Sequence, residues 1–90
     1  MRTIEASTRF KKDFARWIRG TPLAAEFDDL LRMLASGAAL PPHYRDHPLQ
    51  GPWRGHRDCH LRSDVVLIYE RGEKTIRIVR IGSHSELFGG

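Results

Sequence analysis

A proline-rich segment in the middle of the chain separates two halves with different hydrophobic periodicity. Residues 38–52 contain four of the five prolines, which disfavour both a helix and a central strand. Before this segment the apolar residues recur at helical spacing, and after it they form β-branched runs. The sequence therefore predicts helices first and a sheet second, joined by a long ordered loop. Loops of this length in compact domains are often functional.

Two helices are predicted before the loop. A short first strand covers residues 2–6, after which Ser7 or Thr8 can cap a helix that stops near Gly20. Thr21-Pro22 is typical of a second helix start, and Gly37 of its end. The two apolar stripes consist of Phe10, Phe14, Trp17 and Ile18 in the first helix, and Leu23, Phe27, Leu30, Leu31 and Leu34 in the second.

Three strands are predicted after the loop, at residues 53–61, 65–70 and 75–81, with short turns between them. The order β-α-α-β-β-β predicts a single α+β domain over residues 1–90. Its two N-terminal helices pack on one face of a mostly antiparallel sheet. The opposite face is then left for solvent or for a partner.

The basic residues are mostly arginines, twelve against three lysines, and the net charge is +4. Arginine grips phosphate with a planar fork, so this composition suggests a phosphate-rich or acidic partner, although genomic base composition alone can also produce it. The chain shows neither a signal-peptide pattern nor an apolar run of transmembrane length, and its single cysteine cannot form an internal disulfide. We therefore expect a cytoplasmic protein without a membrane partner.

All five histidines lie after residue 42, in the half that carries the loop and the strands. Histidine titrates near neutrality and suits proton transfer. The stretch His56-x-x-Cys59-His60 raises zinc as an alternative. In a strand, however, side chains alternate between faces, so Cys59 points away from the two histidines and is expected in the core.

RNA cleavage by an adjacent 2′-hydroxyl needs a proton acceptor, a proton donor and a cation that stabilises the charged phosphorane. The second half of the chain supplies all three residue types, in His47, His60, Asp64, Arg80 and His84. Spacing alone leaves other roles open. Each histidine could be a surface residue, Asp64 a turn residue, Arg80 an ion-pair partner of Glu70, and Phe88 a core plug.

The segment from Arg45 to His60, with its DHPLQG-x-W-x-G-x-RD-x-H string, strongly resembles the YafQ branch of the RelE toxin superfamily. The resemblance continues in order through Asp64, Leu67-Ile68-Tyr69, Arg80, Gly82, His84 and Leu87-Phe88-Gly89. The N-terminal half matches only in its β-α-α pattern. Two positions depart from the family: Val65 stands where YafQ carries a tryptophan, and His56 where a tyrosine is common.

This resemblance implies the toxin of a type II toxin–antitoxin pair, an endoribonuclease that cuts messenger RNA in the ribosomal A site without metal or cofactor. It implies that His84 is the general acid, that His47, His60 and Asp64 share base and positioning roles, and that Arg80 holds the scissile phosphate. Phe88 is expected to stack on a base, and Arg54 and Arg57 to contact RNA.

The implied partner is a DinJ- or RelB-like antitoxin, whose acidic to amphipathic segment would bind the basic surface. Operator DNA would be reached only through that antitoxin. Two alternatives stay open at this stage: a ParE-like gyrase poison of the same fold, for which three histidines would have no purpose, and a non-catalytic RNA- or ribosome-binding module.

Overall fold

The computed structural model describes residues 1–89. Its helices and strands are, in chain order, β1 (Thr3–Ala6), α1 (Thr8–Trp17), α2 (Leu23–Ser36), β2 (His47–Pro48), β3 (Arg57–Arg62), β4 (Val65–Arg71), β5 (Thr75–Gly82) and α3 (His84–Phe88). Two 3₁₀ turns, Pro42–Tyr44 and Gly51–Trp53, interrupt the proline-rich segment. None of the helices in residues 1–89 is long and apolar enough to cross a bilayer.

The helix boundaries follow from local side-chain chemistry. The hydroxyl of Ser7 accepts the backbone N–H of Phe10 and so caps α1, as predicted. The second helix ends where Gly37 adopts φ 79°, which is the left-handed conformation that terminates many helices.

The strands form one sheet in the order β1-β5-β4-β3-β2, in which β1 runs parallel to β5 and the other neighbours are antiparallel. The predicted α+β class and its mostly antiparallel sheet are therefore confirmed. The sequence missed the two-residue strand β2, because its Pro48 is tolerated only at an edge such as this one. It also placed the start of β3 four residues early, since the 3₁₀ turn takes up Trp53 and Gly55 follows at φ 91°.

The two faces of the sheet carry different cores. Helix α2 covers a large apolar cluster on one face, which includes Phe27, Leu67, Ile81 and the fully buried Cys59. The other face carries a small cluster of Val66, Ile68 and Leu87, the last contributed by α3. The opposite face is thus only partly covered, and the cavity described below lies there.

Helix α1 closes the edge of β5 beyond the point where β1 ends. The hydroxyl of Ser7 donates to the Val79 carbonyl at 2.6 Å, and the backbone N–H of Ile81 donates to Asp13 at 3.2 Å. A bulge lies at this position, because Ile68 pairs with Arg80 while Tyr69 pairs with Ile78. Bulges re-aim the side chains next to them, and Arg80, beside this bulge, donates to Asp13 of α1 at the edge.

Candidate active site

An open cavity of about 460 Å³ lies on the face of the sheet opposite α2. It brings together all three predicted catalytic histidines and the predicted base-stacking ring with three residues that the sequence did not single out. Its lining consists of Arg45, His47, Leu49, Asp58, His60, His84 and Phe88.

Sheet register explains why these residues meet. His47 in β2 pairs with Asp58 in β3, and His60 lies two residues further along the same face. His60 shares a row with Val66 and Gly82, so α3 begins directly beyond that row. The ring centroids of His47 and His60 are 6.5 Å apart and those of His60 and His84 are 5.2 Å apart.

His84 is fixed by Asp64, which lies in the turn between β3 and β4. One oxygen of Asp64 accepts the backbone N–H of His84 at 3.0 Å and its ring Nδ1 at 2.8 Å. These two hydrogen bonds hold the pKa of the Asp64 carboxyl below its usual range. An ionised carboxylate only accepts, so Nδ1 carries the proton and Nε2 is left available for chemistry.

His47 is oriented by the backbone just before it. Its Nδ1 donates to the carbonyl of Arg45 at 2.8 Å and lies 3.0 Å from Oδ1 of Asp58. Nε2 is again the free nitrogen. This ring is half exposed, whereas His60 is buried.

Asp58 is a carboxylate at the floor of the cavity, only 3% exposed. Its Oδ1 lies 4.0 Å from Nε2 of His60, yet receives no well-aligned hydrogen bond from any residue in the described range. Burial raises the pKa of Asp58, against the opposing charges of His47, His60 and His84. Burial likewise lowers the pKa of His60, which favours its neutral form.

The structure does not place Arg80 in the cavity. Its guanidinium donates two hydrogen bonds to Asp13 in α1, at 2.8 and 3.2 Å. Arg80 therefore forms an ion pair, the alternative that the sequence left open, but its partner is Asp13 rather than Glu70. Oε1 of Glu70 lies instead 3.9 Å from Nε of Arg77.

Neither arginine that was predicted to bind RNA lines the cavity. Arg57 lies on the helix-facing side of β3 and donates two hydrogen bonds of 3.2 Å to Asp46, which also accepts the hydroxyl of Tyr69. Arg54 is exposed, next to the second 3₁₀ turn.

The two remaining histidines lie outside the cavity. His43 packs on Tyr44, and His56 packs edge-on against Trp53. Cys59 is fully buried on the helix-facing side while His60 lies on the opposite face, as strand alternation predicted. His60 and Cys59 therefore do not face a common ion. Val65, at the position of the missing tryptophan, packs against the helix-side core.

Sequence reasoning missed two polar residues of the cavity, Arg45 and Asp58. The signal for Asp58 was present, since alternation puts it on the same face of the strand as His60. Arg45 gave no such signal, because its position depends on a left-handed backbone conformation within the proline-rich segment.

Comparisons with known proteins agree with this fold. A family model described as a bacterial toxin of type II toxin–antitoxin system, YafQ, matches residues 2–89. The mRNA interferase toxin YafQ of Escherichia coli K12 is 38% identical over 89 residues, which cover 98% of this chain and 97% of that relative.

Solved structures give the same result. The crystal structure of the Escherichia coli DinJ–YafQ complex matches with a TM-score of 0.86 and 38% identity, covering 99% of this chain and all of that one (100%). A copper-bound mutant toxin from Helicobacter pylori matches with a TM-score of 0.89 and 32% identity, covering 98% and 100% of the two chains.

The fold and the matches define a toxin of a type II toxin–antitoxin system. Within that class, the chain belongs to the YafQ family. The predicted family is confirmed, and the predicted enzyme class agrees with the name mRNA interferase that its curated relatives carry.

Proposed function

We propose that this toxin is an mRNA interferase that cuts messenger RNA in the ribosomal A site, by attack of a 2′-hydroxyl on the adjacent phosphate. The observation that carries the proposal is the convergence of His47, His60 and His84 with the buried carboxylate of Asp58 on one cavity. The names of the relatives support the choice of substrate.

In this mechanism His84 is the proton donor. Asp64 keeps the proton on Nδ1, so a second proton on Nε2 makes the ring an imidazolium that can protonate the leaving 5′-oxygen. Asp64 itself does not line the cavity and is two-thirds exposed. Its geometry supports a positioning role through His84 rather than direct proton transfer.

His60 is the proposed proton acceptor. Its burial favours the neutral ring, which has a lone pair for the 2′-hydroxyl proton. Asp58 then stabilises the imidazolium that forms, because its carboxylate lies 4.0 Å from Nε2. His47, on the other side of Asp58, is the alternative acceptor, and substitution of each ring distinguishes the two.

The step balances without a further reactant. The 2′-oxygen forms a bond to phosphorus as its proton passes to the acceptor histidine. The bond from phosphorus to the 5′-oxygen breaks, and that oxygen takes a proton from His84. The products are a 2′,3′-cyclic phosphate and a 5′-hydroxyl end.

No metal has a step in this mechanism. Within residues 1–89, no group of three or more histidine, cysteine or acidic side chains is arranged to hold a metal ion.

Contacts to RNA complete the proposal. Phe88 is 39% exposed and its ring lies 6.1 Å from that of His84, so it can stack on a base next to the scissile bond. Arg54 is free to meet backbone phosphates from its exposed position. For Arg80, the predicted phosphate contact stays a prediction, because the guanidinium would first have to leave Asp13.

A DinJ-like antitoxin is the proposed partner, by analogy with the DinJ–YafQ complex. The net charge of +4 fits an acidic to amphipathic antitoxin segment. The toxin would reach operator DNA only through this antitoxin, and its work on ribosomes would place it in the cytoplasm.

The test is to express the toxin from a tightly controlled promoter and to map transcript 5′ ends. We expect in-frame cuts with the wild type and with His43→Ala, whose ring lies outside the cavity, and none with His84→Ala. General acid catalysis contributes on the order of 10²–10⁴ in rate, so the loss is easily detected.

Growth arrest with intact messages would contradict the proposal and would favour the gyrase poison. Arrest that persists in His84→Ala would favour the non-catalytic binding module instead.

A further inference from the structure

Among the residues that line the cavity, Arg45 is the one strong cation. We propose that Arg45 is the residue that binds the scissile phosphate and stabilises its charge in the transition state. The assignment rests on the proposed function and concerns a residue for which the sequence predicted no role.

The arginines of this protein differ in whether their guanidinium groups are already engaged. Arg80 is held by Asp13 and Arg57 by Asp46, each through two hydrogen bonds. In the described part of the chain, the Arg45 guanidinium forms neither a hydrogen bond nor a salt bridge. A guanidinium with free donors can bind phosphate in two-point fashion without first losing a partner.

The backbone of Arg45, by contrast, is fully engaged. Its N–H donates to the carbonyl of Pro42 at 3.0 Å, and its own carbonyl accepts Nδ1 of His47 at 2.8 Å. The side chain therefore starts from a fixed point beside a catalytic histidine. Its charge also acts on His60, since it is one of the influences that lower the pKa of that ring, after burial.

Arg45 adopts φ 51° and is the only non-glycine residue with positive φ in residues 1–89. This conformation costs roughly 1–3 kcal/mol for a side chain of this kind, and such strain is concentrated at functional sites. Glycine would remove the strain, so an arginine here points to a use for its side chain.

Asp46 holds this strained segment in place. It projects to the helix-facing side, where Arg57 and Tyr69 donate to its carboxylate, while His47 projects into the cavity. The cluster of Asp46, Arg57 and Tyr69 thus anchors Arg45 and His47 from behind the sheet.

The experiment compares Arg45→Gly, Arg45→Gln and Arg45→Lys with the wild type, measuring single-turnover cleavage of mRNA on programmed ribosomes. Arg45→Gly keeps the left-handed backbone and removes the whole side chain, whereas Arg45→Gln keeps most of the aliphatic stem and removes the positive charge. We expect Gly and Gln to slow cleavage at least tenfold, and Lys to recover only part of the rate, because its point charge lacks the two-point fork of the guanidinium. The matched control is Arg19→Gln, which changes an exposed arginine that follows α1 and does not line the cavity, and this variant should cleave normally.

Thermal unfolding separates this role from a structural one, since Arg45→Gly should unfold at or above the wild-type midpoint. A fully active Arg45→Gly would overturn the assignment. If Arg80→Gln cleaved slowly in the same assay, the phosphate contact would be assigned to Arg80 instead. A wild type that leaves the message intact would instead contradict the proposed function itself.

Discussion

Two aspartates are buried among residues 1–89, and their surroundings differ in almost every respect. Asp13 is 6% exposed and accepts hydrogen bonds from Arg80 and from the Ile81 N–H. Burial opposes its ionisation, but these bonds outweigh that effect and lower its pKa. Asp58 is 3% exposed and pairs with none of the arginines in the described part of the chain, and burial raises its pKa.

The difference separates a carboxylate that holds the fold together from one that we propose takes part in the cleavage reaction. Asp13 accepts the Ile81 N–H at the free edge of β5 and forms an ion pair with the Arg80 guanidinium. Asp58 leaves Oδ1 without a well-aligned donor, between His47 and His60, where positive charge appears only when a ring takes up a proton. Unsatisfied buried groups of this kind are rare except where function requires them.

Asp58→Asn should produce the largest effect, and in activity rather than stability. The amide cannot stabilise an imidazolium at His60, so we expect cleavage to fall about 100-fold. The free energy of unfolding should stay within about 1 kcal/mol or rise, because a buried charge is removed. Single-turnover cleavage and urea denaturation measure the two. A large loss of stability with normal cleavage would mean that Asp58 stabilises the fold and does not act in cleavage.

Asp13→Asn should instead affect stability more than cleavage. We expect a loss of roughly 2–3 kcal/mol in the free energy of unfolding, because Arg80 loses its counter-charge. The pH dependence checks the sign. Because the pKa of Asp13 is lowered in the folded state, its stabilisation is complete above its ordinary pKa of 3.8 and is lost as pH falls through the lowered value.

Wild type and Asp13→Asn should therefore converge in stability in acid, as followed by urea denaturation at a series of pH values. A difference that stays constant down to the most acidic conditions would mean that the ion pair is not its source.

Tyr69→Phe tests the anchor behind the cavity, and its effect should be smaller. The phenol is fully buried and donates to Asp46, so its removal costs about 1 kcal/mol while Arg57 still holds the carboxylate. Cleavage should slow only a few-fold because Arg45 and His47 remain in place. Tyr44→Phe, at another buried tyrosine whose hydroxyl forms no hydrogen bond to Asp46 within residues 1–89, serves as the control for loss of a phenol.

The smallest effect concerns the acid limb of the pH–rate profile. Burial chiefly lowers the pKa of His60, with His84 and Arg45 acting in the same direction and Asp58 and the Ser63 backbone opposing. The acid limb of cleavage should therefore lie below His60's ordinary pKa of 6.5 and move up in Arg45→Gly. If the acid limb does not move in Arg45→Gly, the titrating group is not His60, and His47 is the first candidate.

The sequence predicted the fold through features that act locally. Capping by Ser7, the backbone freedom of Gly37 and the β-branched side chains of β4 and β5 define these elements locally. They can therefore be predicted without the tertiary structure. The alternation of side chains in β3 could also be predicted, and it placed Cys59 in the core on the face opposite His60.

What the sequence could not show depends on distant parts of the chain meeting. Asp13 and Arg80 are separated by 67 positions, and only the closure of β5 by α1 pairs them. The same applies to Asp46 and Tyr69, 23 positions apart. The resemblance to the YafQ family supplied residue roles, but not which arginine has free donors.

The most direct test of the central claim examines the RNA itself. A message with a single 2′-deoxynucleotide on the 5′ side of the cleaved bond is placed on programmed ribosomes with the wild-type toxin, next to the all-ribose message. The account predicts that the ribose message yields an upstream fragment ending in a 2′,3′-cyclic phosphate, and that the deoxy message stays intact. Cleavage of the deoxy message, with a 3′-hydroxyl end, would show attack by water and would contradict a histidine site that uses the 2′-hydroxyl.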